Sequence, residues 1–481
     1  MVKKIVNIKF CFIFLFLGLA IFFCKNIASG FDLLPGDNID SRYINYIFEH
    51  FWLWFNQIEP HKSLWDMPCL YPAKNTLAYS DVLFGLSIFY IPIRFFTNAY
   101  NSFLITVLIA CIMNFLTFYF LLKNCFKFKD LSSSAGAFFY AFSVIRYAQM
   151  CHVQLLSQFY TILALICFLK SKNYKYLSFI GCIFFALQFY TSFYLGWFIV
   201  FAGIILTIAA VCFKNERNIL FEFLKNNYKY IFLNLCFTFL ILLPLAVHYL
   251  NVGVTKYPFD LVLSLAPPLK NYFINQSLLD NFLFFKFENL DVENIYGIGI
   301  FTTLLILLEL CGIQKFKKLA IVLIIVIFAT VNIIYLQKLI YDYFPAGGAI
   351  RALGRFVNIL CPLFAFILAN LVERINKNAL KTFVILLLII EQIPAQSLFL
   401  YSKKEALHDI AKYDIPKTCS VIFLNYSKVS PDNSYLLDKT EIDAVWLALT
   451  HKIYTVNGCV SVPMKRVPVK LQPECVINLK N

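Results

Sequence analysis

The sequence CFIFLFLGLAIFF, residues 11–23, belongs to a series of apolar runs of about 15 to 22 residues that recur along this chain. A run of that length can cross the ~30 Å hydrocarbon core of a bilayer as a helix. Helices are expected because an open strand cannot satisfy its backbone groups in lipid. The chain has 481 residues and is 60% hydrophobic, with 54 Phe and 28 Tyr, so it lacks the polar surface of a water-soluble globule. The sequence therefore predicts an all-α polytopic membrane protein.

The apolar runs predict about eleven transmembrane helices. The first run follows the basic segment MVKKIVNIKF and is also compatible with a signal peptide, but an uncleaved span is favoured because no A-x-A cleavage site follows it. The run Val82–Phe96 is short and contains Pro92, so we expect it to be re-entrant or interfacial. The predicted spans are residues 5–24, 102–122, 133–149, 155–169, 178–192, 195–213, 231–250, 296–313, 319–336, 356–372 and 382–399.

Basic residues outnumber acidic ones by 42 to 27, which gives a net charge of +15. In a soluble protein this excess would suggest nucleic acid as a partner. Here the basic residues form short clusters between apolar runs, as they do in cytoplasmic loops, and every cluster falls on one side if the chain alternates across the bilayer. We therefore expect a cytoplasmic N-terminus and no nucleic-acid partner. The clusters are Lys3/Lys4/Lys9, Lys123/Lys127/Lys129, Lys170/Lys172/Lys175, Lys214 to Lys229, Lys315/Lys317/Lys318 and Arg374/Lys377/Lys381.

The opposite face collects the unusual segments: the loops 25–100, 146–154, 251–295 and 341–355, and the tail 400–481. Long loops in compact proteins are usually functional. The tail combines β-prone runs, CSVIFL and HKIYTV, with the helix-like TEIDAVWLAL. We predict a transmembrane domain over residues 1–399 and a small extracytoplasmic α/β domain over residues 400–481. One disulfide among Cys419, Cys459 and Cys475 is possible in the tail, but an odd set leaves the pairing open.

The stretch LLPGDNIDSRYINYIFEHFW, residues 33–52, begins the long first loop of this face. A Pro-Gly turn presents Asp37 and Asp40 immediately before an amphipathic aromatic stretch, which we expect to lie in the membrane interface with Tyr and Trp at headgroup level. That arrangement places a carboxylate where a lipid headgroup rests. The alternative is that the two aspartates only form the turn and cap a helix.

Four basic residues on the same face are candidates for binding phosphate. In AGGAIRALGRF, Arg351 and Arg355 stand one helical turn apart at the mouth of a span, and two guanidinium groups on one helix face match a phosphate or diphosphate. Arg146 and His152 flank the outer ends of two adjacent spans, where they can hold a phosphate or can merely snorkel and satisfy a helix end.

Several carboxylates remain to be assigned. Asp260, Asp291 and Glu293 lie in loop 251–295; most are interpreted as solvated charges, and Glu293, which opens ENIYGIGI, is kept as a candidate for the substrate site. Glu391 lies inside the last span, where a carboxylate is costly, so it is either functional or satisfied by a partner or water. The sequence contains no P-loop, HExxH or GxSxG pattern, which argues against nucleotide-driven chemistry, and no metal site is predicted.

The order of motifs resembles that of bacterial multi-spanning proteins classed with the GT-C type glycosyltransferases. The resemblance implies inverting transfer of a sugar from a polyprenyl-phosphate carrier, the donor substrate, to a glycan, lipid or protein acceptor at the extracytoplasmic face of the inner membrane. It implies that Asp37 or Asp40 is the catalytic base, and that Arg351, Arg355, Arg146 and His152 hold the lipid phosphate. The motifs are GDNID, SLWDMPCLYPAKNTLAYSD, FYAFSVIRYAQMCHVQLLS, ENIYGIG, IRALGRF and DAVWLALTHKIYTVNG.

One motif departs from the pattern of these enzymes. GDNID contains no adjacent acidic pair, which leaves the choice of base open and weakens the case for a bound metal. Two other functions also fit a chain of this kind. A transporter or flippase of lipid-linked glycans is the first, although such proteins often show inverted repeats and we find none here. A non-catalytic assembly factor of the cell envelope is the second, because fold alone does not fix chemistry.

Overall fold

The structure, a computed structural model, is built mainly from helices. It describes residues 8–253, 256–273, 275–283, 295–312, 324, 333–395, 400–425, 434–458 and 469–478. The helices are α1 (Lys9–Ala28), α2 (Asp40–Phe55), α3 (Phe84–Arg94), α4 (Ala99–Phe120), α5 (Asp130–Phe142), α6 (Val144–Ala148), α7 (Val153–Leu156), α8 (Phe159–Lys170), α9 (Leu177–Thr191), α10 (Phe193–Cys212), α11 (Lys214–Val252), α12 (Phe259–Ser264), α13 (Leu278–Leu283), α14 (Ile300–Gly312), α15 (Ile334–Tyr343), α16 (Val357–Arg374), α17 (Asn378–Glu391), α18 (Lys403–Ala411) and α19 (Ser434–His451).

Five short strands and several single turns complete the described chain. The strands are β1 (Leu33–Pro35), β2 (Leu400–Ser402), β3 (Val421–Asn425), β4 (Tyr454–Thr455) and β5 (Val476–Asn478). A π-helical turn, Leu121–Cys125, extends α4, and 3-10 turns lie at Thr76–Tyr79, Gln149–Cys151, Leu269–Tyr272, Gly347–Ala349, Leu353–Phe356 and Pro473–Cys475.

Within the described residues, six helical stretches are long and apolar enough to cross a membrane. Shorter apolar helices accompany them; α9, for example, has 15 residues and is about 22 Å long. The protein is therefore a multi-pass membrane protein. The predicted span 319–336 lies almost wholly outside the described residues, so the count of about eleven stays a prediction. The six stretches are Lys9–Ala28, Ala99–Cys125, Val153–Lys170, Phe193–Cys212, Lys214–Val252 and Leu353–Arg374.

Three predicted spans have different boundaries in the structure. The span predicted at 382–399 is α17, which ends at Glu391. The span predicted at 133–149 is interrupted at Ser143, whose extended backbone ends α5 and starts α6. The span predicted at 231–250 is the C-terminal half of α11, which runs for 39 residues. Hydropathy detects only the apolar part of a helix, so the basic segment that opens α11 was missed. At about 58 Å, α11 is longer than a ~30 Å hydrocarbon core.

Helix α5 lies at the centre of the bundle, against α1, α4 and α16. Small residues let these helices approach closely: the three serines of the sequence DLSSSAGAF are buried, and a Cβ built on Gly136 would lie 2.7 Å from the Ala369 Cβ of α16. Rings fill the remaining space, as where Phe14 of α1 meets Phe138 edge-on at 6.0 Å. The close approach of these helices thus depends on small residues at defined contact points.

Replacing Gly136 by alanine should destabilise the protein by about 1–3 kcal/mol, because the added methyl group overpacks the contact with Ala369 and with the Ala365 carbonyl. The matched control is Gly203→Ala in α10, where a Cβ meets nothing within 4 Å. The melting temperature of the two variants in detergent, measured by intrinsic fluorescence, checks this. Equal melting temperatures would show that the α5–α16 contact relaxes without cost.

The helix of the first outer loop, α2, is more buried within the protein than the sequence suggested. Twelve of the 16 residues of α2 are buried; Asp40 at its start and Trp52, Trp54 and Phe55 at its end are partly or fully exposed. Helix α2 packs between α3, α4 and the end of the chain, and its place at the membrane interface stays a prediction. Helix α3, of 11 residues including Pro92, is about 16 Å long and too short to span.

The described residues 400–425, 434–458 and 469–478, here called the C-terminal segment, form strands and helices that pack on the first loop. Strand β3 pairs in parallel with β4 on one side and β5 on the other, and α19 packs on β3. A disulfide joins Cys419 to Cys475, which answers the pairing question; Cys459 lies outside the described residues. The division of the chain into domains at residue 399 stays a prediction.

The C-terminal segment is fastened to the first loop by backbone and side-chain contacts. Strands β1 and β2 pair antiparallel, with Leu33 opposite Ser402. The Arg42 guanidinium on α2 is fully buried and donates to Asp443 Oδ1 of α19 at 2.6 Å. The Trp446 indole N–H donates to the Arg42 carbonyl at 3.0 Å. The start of α2 is thereby held in place by the last part of the chain.

Candidate active site

The turn before α2 gives different tasks to its two aspartates. Asp37 Oδ1 accepts hydrogen bonds from the Ser41 and Ile39 N–H groups at 2.9 and 3.3 Å, and the Asp37 N–H donates to Ser41 Oγ at 3.0 Å. Burial and the neighbouring Asp40 charge raise the pKa of the Asp37 carboxyl. Gly36 has a φ of +98°, which favours glycine. Asp37 thus caps the helix, and Asp40 is left to face outward.

Asp40 is paired with a histidine and lies near two arginines. Asp40 Oδ2 is 3.2 Å from His152 Nε2, and Arg355 Nη2 is 3.2 Å from the same nitrogen. Burial alone would raise the pKa of the Asp40 carboxyl. The His152 hydrogen bond and the charges of His152, Arg355 and Arg351 have the opposite and larger effect, so the pKa of Asp40 is lowered overall. Because 42% of its side chain is exposed, Asp40 is an ionised carboxylate that a ligand can reach.

Five parts of the chain enclose a small polar pocket around this pair, and each supplies lining residues from a helix end or an adjoining turn. They are the start of α2, the loop before α3, the turns around α7, the start of α10 and the turn before α16. Asp40, His152, Arg351 and Arg355 all line it, so the structure brings four of the predicted site residues together. The lining residues are Asp40, Tyr43, Ile44, Ser80, Asp81, His152, Gln154, Tyr194, Arg351 and Arg355.

The two arginines reach the pocket without sharing a helix face. Arg351 occupies a bend and Arg355 lies in the 3-10 turn Leu353–Phe356, so the prediction of one helical turn between them was wrong. Their proximity comes from Tyr194 instead. The Arg351 N–H donates to the Tyr194 hydroxyl at 3.2 Å, and the Arg355 guanidinium lies over the Tyr194 ring at 5.5 Å. The ring faces a cation, an arrangement that is favourable in itself.

The remaining candidates lie elsewhere. Arg146 is fully buried in the bundle; it donates to the carbonyls of Tyr140 and Leu155 and to the side chains of Asn358 and Gln158. It does not join the pocket, because the turn of α6 directs it inward while His152, after the turn, faces the pocket.

The other four acidic residues singled out in the sequence lie away from the pocket or outside the described residues. Glu391 accepts hydrogen bonds from the Phe301 and Thr302 N–H groups at 2.8 and 2.7 Å, so it caps α14 and has the partner that its burial requires. Glu293 and Asp291 lie outside the described residues. Asp260 is exposed at the start of α12.

Asp81 is a pocket carboxylate that the sequence reasoning missed. Its Oδ1 accepts a hydrogen bond at 2.7 Å from the Phe193 N–H, at the start of α10. Burial raises its pKa to about 6, against the lowering effect of the Phe193 hydrogen bond and of the Arg355 and His152 charges. The available signal was its position: it closes the motif SLWDMPCLYPAKNTLAYSD directly before an apolar run.

The raised pKa of Asp81 predicts a pH-dependent stability. Below the unfolded-state pKa of 3.8 the carboxyl is neutral in both states; between 3.8 and about 6 the folded state binds the extra proton, so stability falls as pH rises through this window. The loss approaches about 3 kcal/mol. Asp81→Asn should reduce this slope, whereas Asp40→Asn should not, since the pKa of Asp40 is lowered. Melting temperatures between about pH 4 and 7.5 test this. An unchanged slope in Asp81→Asn would contradict it.

Within the described ranges, no group of three or more His, Cys, Asp and Glu side chains is placed to hold a metal ion. The charges opposite the pocket carboxylates are guanidinium groups. The chemistry below is assigned to side chains of the chain.

Comparison with known proteins identifies a structural likeness. The oligosaccharyltransferase of Archaeoglobus fulgidus, solved in complex with Zn and sulfate, superposes with a TM-score of 0.52 at 14% sequence identity. The chain has a GT-C-like fold. The alignment covers 93% of this chain but 62% of that enzyme, so the chain spans less than two thirds of the length of its neighbour. Models of protein families and curated proteins show no match to the sequence. The GT-C-like fold predicted from the motifs is confirmed at the level of the fold.

Proposed function

We propose that this protein is an integral-membrane inverting glycosyltransferase that moves a sugar from a polyprenyl-phosphate carrier to an acceptor on the extracytoplasmic face. The observation that carries the proposal is that the polar pocket continues into an apolar groove. The pocket and the groove share Ser80, Asp81 and Tyr194. A ligand that fills both needs a charged head and a long apolar tail, which a lipid-linked sugar provides.

The groove lies between the outer ends of α10 and α11 and has a volume of about 320 Å³. Its walls are mostly apolar, which suits an isoprenoid chain. Helix α11 is largely exposed: of the 18 consecutive residues that form its most apolar part, only 6% are buried within the protein. A lipid can therefore reach the groove from the bilayer. The lining residues are Ala78, Tyr79, Ser80, Asp81, Phe193, Tyr194, Ala246, Tyr249, Leu250, Val252, Gly253, Tyr257, Ala346 and Ala349.

The proposed chemistry uses the two kinds of charge in the pocket. Arg351 and Arg355 bind the carrier phosphate and stabilise the negative charge that it gains as the leaving group. Asp40 accepts the proton of the acceptor hydroxyl. The hydroxyl oxygen forms a bond to the anomeric carbon from the opposite side, the bond from that carbon to the phosphate oxygen breaks, and the lipid phosphate leaves with the electron pair. His152 lies between Asp40 and Arg355 and positions the catalytic base relative to the phosphate-binding cation.

Two features support the proposed orientation in a bacterial inner membrane. The C-terminal segment, which packs on the first loop beside the pocket, contains the Cys419–Cys475 disulfide, and disulfides form in oxidising compartments such as the periplasm. The basic clusters that fall within the described residues lie at the other ends of the helices, where cytoplasmic loops carry them. Polyprenyl-phosphate sugars, membrane lipids and a glycan, lipid or protein acceptor are the proposed partners.

The test is an assay of donor consumption. Purified protein in vesicles should convert a polyprenyl-phosphate sugar to free polyprenyl phosphate when a panel of donors and acceptors is supplied, as followed by mass spectrometry. Movement of an intact donor across the vesicle membrane without consumption would support a flippase of lipid-linked glycans instead. Neither consumption nor movement would support a non-catalytic assembly factor.

A further inference from the structure

A second groove lies between α9 and α11, at the far ends of these helices from the polar pocket. It has a volume of about 720 Å³ and is lined by the turn after α8, by α9 and by the first half of α11. Helix α9 lines this groove from Ser178 to Phe185 and ends at Thr191, just before Tyr194 of the polar pocket, so about 9 Å of helix separates the inner end of the groove from the pocket, and the two share no lining residue. The groove is therefore not part of the proposed active site.

One end of this groove is basic and the other is apolar. Lys172 and Lys175 lie at its mouth, and no carboxylate is among its lining residues. Lys175 Nζ donates to Asn227 Oδ1 at 3.3 Å and lies 4.9 Å from the centre of the Tyr230 ring, which fixes the ammonium group over the opening. Further along, Phe185 and Leu235 line it, the latter 65% exposed.

The helices that form the walls contact each other beside the groove. Ser178 Oγ donates to Asn234 Oδ1 at 3.2 Å, Cys182 Sγ lies 3.6 Å from the Asn234 carbonyl, and the Phe179 and Phe237 rings meet edge-on at 5.6 Å. The most apolar part of α11 is almost entirely exposed, so the groove opens sideways toward the bilayer. A space of this size beside lipid-facing residues requires a hydrocarbon occupant, since leaving it empty forfeits dispersion contacts.

We propose that this groove binds an anionic phospholipid. The phosphate is held between Lys172 and Lys175, and an acyl chain lies along Phe185 and Leu235. Basic pockets between transmembrane helices bind anionic headgroups in this manner, and two ammonium groups without a neighbouring carboxylate among the lining residues select negative over zwitterionic lipid. The proposal does not depend on the chemistry assigned to the polar pocket.

Photocrosslinking tests this site in the full-length protein. Vesicles of phosphatidylcholine would contain a trace of photoreactive phosphatidylglycerol or photoreactive phosphatidylcholine, and crosslinked peptides would be mapped by mass spectrometry. We expect phosphatidylglycerol to label residues 168–185 and 223–238 more strongly than phosphatidylcholine does. The double variant Lys172→Gln/Lys175→Gln should reduce this labelling by about fivefold per lysine at low salt.

Three controls make the result decisive. Lys377→Gln/Lys381→Gln removes the same charge beside α17, away from the groove, and should leave the labelling unchanged. Thr238→Trp narrows the groove without altering charge and should reduce labelling by both lipids. Excess inorganic phosphate should not compete. Equal labelling by the two lipids, unchanged labelling in Lys172→Gln/Lys175→Gln, or displacement by inorganic phosphate would each overturn the proposal.

Discussion

Replacing Asp40 by asparagine should slow sugar transfer by about 10²–10⁴-fold, the range by which a positioned general base accelerates a reaction. Asparagine has nearly the same shape and can still approach His152, so binding of the donor should persist while proton removal fails. The expected signature is a loss of kcat with little change in KM for the lipid donor. Initial rates of polyprenyl phosphate release at saturating and limiting donor measure the two parameters.

Asp37→Asn is the matched control, because both residues lie in GDNID and only the contacts of the structure separate them. Asparagine can accept the Ser41 N–H bond, so the cap survives. We expect its rate to stay within about tenfold of the wild type. If Asp37→Asn abolished transfer while Asp40→Asn retained it, the base would have been assigned to the wrong aspartate.

Replacing Arg355 by glutamine should lower kcat by about 10²–10³-fold, because it removes a fixed cation from the position where the leaving phosphate gains charge. Arg355 is 5% exposed, so water screens its charge poorly and cannot replace it. Arg355→Lys should recover only part of the loss, since lysine cannot bind phosphate bidentately or stack on Tyr194 in the same way. The assay of donor consumption gives the rates, and donor binding measured separately shows whether the ground state is affected.

Arg374→Gln provides the control for loss of a positive charge. The half-exposed Arg374 donates to the buried Glu309 carboxylate at the end of α16, away from the pocket, so the Arg374→Gln variant should transfer sugar at the wild-type rate. A fall in Arg374→Gln equal to that in Arg355→Gln would mean that net charge, and not the position of the guanidinium group, determines the rate.

The membrane architecture was predictable because bilayer thickness imposes one physical length on every span. The structure departs from the prediction where a helix boundary is not marked by a change in hydropathy. The break at Ser143 separates α5 from α6, and nothing in the run of apolar residues around it marks that change. The first half of α11 is polar, so its helical continuation could not be detected from hydropathy.

The site was predictable in part. His152, Arg351 and Arg355 were assigned with Asp40 to one face because topology alone places their loops together. Asp81 was missed because its role depends on meeting the Phe193 N–H, which lies far along the chain. Arg146 and His152 are close in sequence but face different environments, and only the turn between them decides this. Contacts between distant segments, unlike hydropathy, leave no local pattern.

The β1–β2 pairing has a consequence for biosynthesis. Strand β1 and Arg42 leave the ribosome early, yet their partners, β2 and Asp443, are translated near the end. At about 5–20 residues per second, the first loop waits roughly 20–70 s for them. A nascent chain that stops before residue 400 inserts its helices but leaves Arg42 as a buried cation without its carboxylate. Premature termination would thus yield a membrane-inserted product that proteases can recognise as unfinished.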